Sequence, residues 1–316
     1  MVRPASAAAT GVTARLAAFV LERFPFALPI VQQALDTCGA ATIKDDGAAH
    51  IEFLRVALAR ELTRLFDRTN TPDLPDPTPG VDAGSRFAAA ASELIAACDG
   101  FLAREAIAAS LTADERREML RGMVLTRAVD NRLKQFFASG EVKYGDAPFQ
   151  GKGFRSLGQE AIYGAAIRLR RGVAYQDAGR GWQGDVIGPI IRDLGAALAM
   201  RPEPATIRMV LNAQMGKQGA PMDGKDLHIG DFEWGILPAT APLSVSTLSI
   251  AGMAMAFARD GSRRVAVSFI GEGGSSLGEW HEAINLCAAR RLPAIFCLEN
   301  NQTALSTPVA EQSAVR

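Results

Sequence analysis

The sequence predicts an α/β fold, a parallel sheet with helices on both faces, preceded by a helical N-terminal region. Three observations carry this. An apolar strand, Val265 to Ile270, runs into Gly271-Glu272-Gly273-Gly274; an amphipathic helix follows; a second apolar strand, Ala294 to Leu298, ends in Glu299-Asn300-Asn301. Strands alternating with helices make a parallel sheet covered by helices. Residues 1 to about 110, by contrast, show Ala/Leu periodicity at helical spacing and no alternating pattern. Long Gly- and Pro-rich stretches lie between the periodic segments, and loops of that length are commonly functional.

The elements follow in order. The start, MVRPASAAATGVTARLAAFVLERF, is Ala-rich and lightly basic and could pass for a transit peptide. Val12 to Phe26 carries helical spacing with Glu22 included, which favours an ordinary first helix. Helical periodicity continues to about residue 69. TNTPDLPDPTPG, residues 69–80, holds four prolines and reads as an extended linker or surface loop. Residues 84–110 return to Ala-rich helix, and a long helix runs from about Leu111 to Ala138 with Thr112 as a plausible N-cap. GEVKYGDAPFQGKGFRS, 140–156, is a Gly-rich loop. Ser156 to Arg171 reads as helix, GDVIGPIIRDLGAALAMR begins another, and Pro204 to Gln214 is one more. Gly216 to Leu243 has little periodicity, and Leu248 to Arg259 is a small-residue helix.

Bulk composition narrows the function. The 316 residues carry 34 Lys plus Arg and 34 Asp plus Glu, so nothing suggests a nucleic-acid footprint. No apolar run reaches the roughly 18 residues expected of a membrane span. Cys38, Cys98, Cys287 and Cys297 lack CxxC spacing and read as reduced thiols of a cytoplasmic protein.

The chemistry concentrates at two strand ends. Glu272 and Asn301 lie 29 positions apart, each just past a strand. In a parallel sheet such ends are neighbours, and ligands bind in the crevice there. A carboxylate and a carboxamide oxygen converging on one point suit Mg²⁺, together with phosphate oxygens and water. Gly271, Gly273 and Gly274 leave the backbone open, and a helix start near Ser275 and Ser276 would offer N–H groups to phosphate. The plainer alternatives are a turn carboxylate at Glu272 and simple capping by the serines.

Gly-acidic-Gly, roughly thirty residues and then Asn-Asn resembles the thiamine diphosphate motif. With ENN, LSTP and GEWHEAIN, the stretch from about Leu120 to Arg316 is similar to the alpha subunit of 2-oxo acid dehydrogenases, the thiamine-dependent component of the pyruvate and branched-chain complexes. The resemblance implies thiamine diphosphate and Mg²⁺ as cofactors, with Glu272, Asn301 and the carbonyl of Thr303 as protein ligands of the metal. Most of the wider family has Asp where Glu272 stands; Glu resembles the branched-chain subgroup. Arg192, in VIGPIIRDLG, matches a family arginine that binds the diphosphate, although Ile191 replaces the aromatic that precedes it; the alternative is a solvated helix arginine. His228, in GKDLHIGD, matches a loop histidine over the active centre. Leu243 matches an apolar residue that wedges under the cofactor, near a carbonyl that can hold K⁺. Gln159 matches a channel residue; Glu160 is not the glutamate that activates the cofactor, which belongs to the beta subunit. His281 reads as packing or interface, and His50 as surface.

The resemblance further implies oxidative decarboxylation of a 2-oxo acid, of the 3-methyl-2-oxobutanoate type or pyruvate. A beta-type subunit or domain and a lipoyl-bearing acyltransferase would be the partners. Other thiamine enzymes, acetoin-cleaving or transketolase-like, and a non-catalytic assembly module stay open. An NAD-type enzyme lacks support, since no GxGxxG follows a strand. The expected organisation is an N-terminal extension over 1–110 and a thiamine diphosphate-binding domain over 111–316. That sheet looks unfinished at Arg316, so the sequence is expected to come from a longer parent, such as an alpha–beta fusion, and to be inactive by itself.

Overall fold

A computed structural model describes residues 11–39, 46–66, 79–148, 157–219, 221–225 and 229–313. The chain divides into two compact units, Met1–Ala113 and Asp114–Arg316.

The first unit is helical: α1 (Val12–Arg23), α2 (Leu28–Thr37), α3 (Ala48–Phe66) and α4 (Ala83–Ser110). Apolar residues three and four apart put one stripe of each helix inside. On α3 the stripe is Ile51, Leu54, Leu58, Leu62 and Leu65; on α4 it is Leu94, Cys98, Leu102 and Ala106. Each buried leucine contributes about 2 kcal/mol by leaving water. Arg15 pairs with Glu105, and Arg55 with Asp99, tying α1 and α3 to α4. The first helix is shorter than its periodicity predicts. It stops at Arg23 because Phe24 precedes Pro25, and a residue before proline is pushed out of the helical region; Phe24 has φ −138° and ψ 57°. The proline segment falls mainly on 69–78, outside the described residues, as does Met1–Thr10.

The second unit holds α5 (Ala113–Ala138), two minor hairpins, β1–β2 (Lys143–Tyr144, Ala147–Pro148) and β3–β4 (Gln176–Asp177, Gly181–Trp182), and then β5 (Val186–Gly188). Next come α6 (Leu194–Met200), α7 (Pro204–Gln214), α8 (Val245–Asp260), β6 (Ala266–Gly271), α9 (Gly278–Arg290) and β7 (Ala294–Glu299). A last hairpin, β8–β9 (Thr303–Ala304, Thr307–Pro308), leads to the short α10 (Val309–Gln312). Strands β5, β6 and β7 form one parallel sheet in that order. Alternation along the strands splits the core in two. Ile187, Val267 and Phe269 face α6 with Tyr163, Trp234 and Ile236. Val186 and Ala266 face α8 through Ile250, Ala254 and Phe257, and Ile270 faces Trp280 of α9. Helices therefore cover both faces.

Two sequence expectations need correction. Residues 156–171 are not an α-helix: the described part is a 3-10 turn, Glu160–Ala166, with Ile162 N–H donating to Gln159 O (3.1 Å) and Leu169 N–H to Ala166 O (3.1 Å). Gly158 stands left-handed before it, and the Glu160 side chain turns back to accept from Gly158 N–H (3.1 Å). The segment GDVIGPIIRDLGAALAMR opens not on a helix but on β5, a fully buried three-residue strand. Its ladder comes from β6, which begins 78 residues after Gly188.

Candidate active site

The carboxyl ends of β6 and β7 lie side by side as the spacing predicts, and β5, which the sequence did not reveal, pairs on the other side of β6. In register, Gly271 ends β6 beside Glu299 of β7, so Glu272 and Asn300-Asn301 leave the sheet side by side. Glu272 is 5% exposed, and neither carboxylate oxygen meets a hydrogen-bond donor among the described residues. Arg192 Nη2 stands 3.9 Å from Glu272 Oε2, a Coulombic neighbour beyond hydrogen-bonding reach. A carboxylate this dry is costly unless a cation or donors complete it.

The missing side chain makes room at two points of this loop. A Cβ on Gly271 would lie 1.9 Å from Arg192 Nη2, so the guanidinium rests on the bare backbone of the strand end. A Cβ on Gly273 would lie 2.5 Å from the Ala304 methyl, so the β8–β9 hairpin is seated on the Glu272 loop. These contacts form a cradle, and a buried acceptor pair without donors lies in it. Both fit a site for a metal cation and a phosphate group. Among the described residues no three His, Cys, Asp or Glu side chains are grouped as a metal site.

The other predicted residues fall as follows. Arg192 is not a helix residue; it occupies the turn between β5 and α6, which is what lets it reach Gly271. Ser275 and Ser276 do not open the following helix. They belong to a 3-10 turn, Gly274–Ser276, and α9 starts at Gly278 after Leu277. Ser275 Oγ donates to Glu272 O (2.7 Å) and so shapes the loop; Ser276 is exposed. Asn301 is exposed, and its Oδ1 accepts from Thr303 N–H (3.1 Å), while Thr303 Oγ1 faces the carbonyls of Leu305 and Thr307 (3.3 Å each). Leu243 is 46% exposed, and its Cβ lies 3.7 Å from where a Gly274 Cβ would be. His281 is exposed on α9, and Gln159 is half-buried where the 3-10 turn starts. His228 lies outside the described residues.

Sequence reasoning missed three residues. Ser244, fully buried and left-handed at φ 69°, donates to Gly274 O (2.8 Å) and pins the glycine loop to the start of α8. Asp193 and Glu299 form a buried carboxyl pair beside Arg192. Burial first, then the charge of Glu299 and a hydrogen bond to it, push Asp193 well above the usual carboxylate range. Burial likewise raises Glu299, with Glu272 adding to it and Arg192 opposing it. Two carboxyls brought this close out of water each disfavour the charged form of the other. The signal was available: an acid directly follows Arg192, and another ends the apolar strand before Asn300.

The dehydrogenase E1 component family matches residues 166–316. The chain is 31% identical over 211 residues to the 2-oxoisovalerate dehydrogenase subunit alpha of Bacillus subtilis (strain 168), covering 66% of this chain and 57% of the relative. It is 29% identical over 223 residues to the pyruvate dehydrogenase E1 component subunit alpha of the same organism, covering 68% and 50%. A 67-residue stretch is 45% identical to the corresponding subunit of Staphylococcus aureus (strain Mu50 / ATCC 700699), covering 21% of this chain and 18% of the relative. The chain thus spans about half the length of the curated relatives it matches over most of its own residues. Residues 166–316, which hold the strand-end glutamate, the glycine cradle and the arginine, match the dehydrogenase E1 component family, and the chain is similar to alpha subunits of 2-oxo acid dehydrogenases.

Proposed function

We propose that the chain is the alpha-type part of a thiamine diphosphate-dependent enzyme that oxidatively decarboxylates a 2-oxo acid. It would act with a beta-type subunit or domain and hand the acyl group to a lipoyl-bearing acyltransferase. The single observation that carries this is the buried Glu272 carboxylate, without a donor, in a glycine cradle at the sheet's carboxyl edge. Arg192, 3.9 Å from that carboxylate, is the positive group at hand for an anionic phosphate.

In this reading Glu272 gives Mg²⁺ its anionic ligand, and the Asn301 carboxamide and Thr303 carbonyl give neutral ones. Arg192 holds the diphosphate through its planar donor fork. Gly271, Gly273 and Gly274 let it approach the backbone, with Ser275 and Ser276 at the rim. Leu243 would support the cofactor near a carbonyl available to K⁺, and His228 would serve the reacting end. When bound, thiamine diphosphate supplies the electron sink for loss of carbon dioxide. The favoured substrate is of the 3-methyl-2-oxobutanoate type, by Glu272 and the likeness to the 2-oxoisovalerate enzyme, with pyruvate next.

Calorimetric titration of thiamine diphosphate with Mg²⁺ tests this. Glu272→Gln should weaken binding by more than about 10-fold while leaving the melting temperature of the free chain unchanged or raised, because an uncompensated buried charge is removed. Undiminished affinity would sink the metal assignment.

A further inference from the structure

The geometry points to Asp193 as the positioning residue of the Arg192 arm, an inference that rests on the thiamine diphosphate reading above. Asp193 is 1% exposed. Its Oδ2 accepts from Ile190 N–H (2.7 Å), and its own N–H donates to Ile190 O (3.0 Å). The same residue thus closes the Ile190–Asp193 turn twice, once through the backbone and once through the side chain. Its carbonyl accepts from Ala197 N–H (3.2 Å) and so fixes the turn to α6.

Arg192 is the residue inside that turn, directly before Asp193. Its guanidinium ends on Gly271 and 3.9 Å from Glu272. One side chain therefore ties the exit from β5 to the start of α6 around the arginine. A long flexible side chain loses less on binding when its backbone is already held. With the turn loosened, Arg192 keeps its charge but loses its fixed aim at the diphosphate.

The test is a double-mutant cycle on the full chain, read as the affinity for thiamine diphosphate with Mg²⁺ by calorimetry, with melting temperatures alongside. Asp193→Ala should weaken binding about as much as Arg192→Ala does, roughly 10-fold or more, and the double variant should be no worse than either single one. Asp193→Asn keeps the oxygen that accepts from Ile190 and should stay within about 3-fold of the unaltered chain. Asp193→Leu, which fills the space without the acceptor, replaces the alanine variant if that one does not fold. Losses that add in the double variant would overturn the inference, because Asp193 would then act apart from Arg192. Full binding by Asp193→Ala or Asp193→Leu would overturn it too, and leave the cofactor reading standing. No binding by the unaltered chain would overturn both.

Discussion

At the scale of the residue, Gly271 separates space from chemistry. Its backbone is ordinary strand, so a side chain would not strain it; what a methyl would meet is the far end of Arg192, 1.9 Å away. A flexible guanidinium can swing aside, and the strand can stay. Gly271→Ala should therefore melt within a few degrees of the unaltered chain, yet bind thiamine diphosphate more weakly by about 10-fold, as Arg192→Ala does. A collapse in melting temperature with binding retained per folded molecule would show that Gly271 serves the sheet and not the arginine. The place of Glu272 at a strand end was readable from sequence because an apolar strand runs into it and Asn301 follows the next strand 29 positions on. Ser244 was not, because nothing in ATAPLSVS says that its hydroxyl will meet the carbonyl of Gly274, 30 residues later.

At the scale of the element, the 3-10 turn Glu160–Ala166 is held to α5 by Glu160 and Arg127. The Arg127 guanidinium, hydrogen-bonded to the carboxylate, lowers Glu160 to about 2, well below the ordinary carboxylate range. A carboxyl depressed in the folded state contributes stability that is fully present above its unfolded value and is lost as pH falls through the folded one. The contribution should therefore disappear between about pH 5 and pH 2. Glu160→Gln should unfold more easily at neutral pH, and its melting curve should change less across that acid window than the unaltered chain's. Parallel acid limbs in the two proteins would show that the pair contributes nothing. The strand β5 also belongs to this scale. Three residues are too few for an alternating pattern, and VIG runs on through Pro189 into the apolar start of α6, so periodicity alone merges it with the helix. Only pairing with β6 makes it a strand.

At the scale of the whole chain, the first unit carries its own core. The α4 stripe packs against α1 and α3 through Leu94, Cys98 and Leu102, so the helices on either side of residues 69–80 belong together. A cut at residue 80 would leave that stripe bare; a cut after residue 113 would not. Residues 1–113 alone should give a helical circular-dichroism spectrum and one cooperative thermal transition. Burial, which pushes Cys98 up to about 11, should keep its thiol slow to alkylate at pH 8 until that transition. A gradual melt with fast alkylation would mean that the stripe needs more than this unit. Among the described residues no helix is long and apolar enough to cross a membrane.

The sequence by itself determined the strand–glycine–helix–strand unit, the side-by-side exits of Glu272 and Asn301, and the long helices of the first unit. Those are set by local periodicity and by short spacings, which the chain cannot avoid expressing. The tertiary structure alone decided that Arg192 leaves a turn instead of a helix, that Asp193 and Glu299 share a dry niche beside it, and that the Ala304 hairpin rests on Gly273. These are meetings between residues 31 to 106 positions apart. Their energies come from desolvation and close approach, and neither exists until β5, β6 and β7 lie in one sheet.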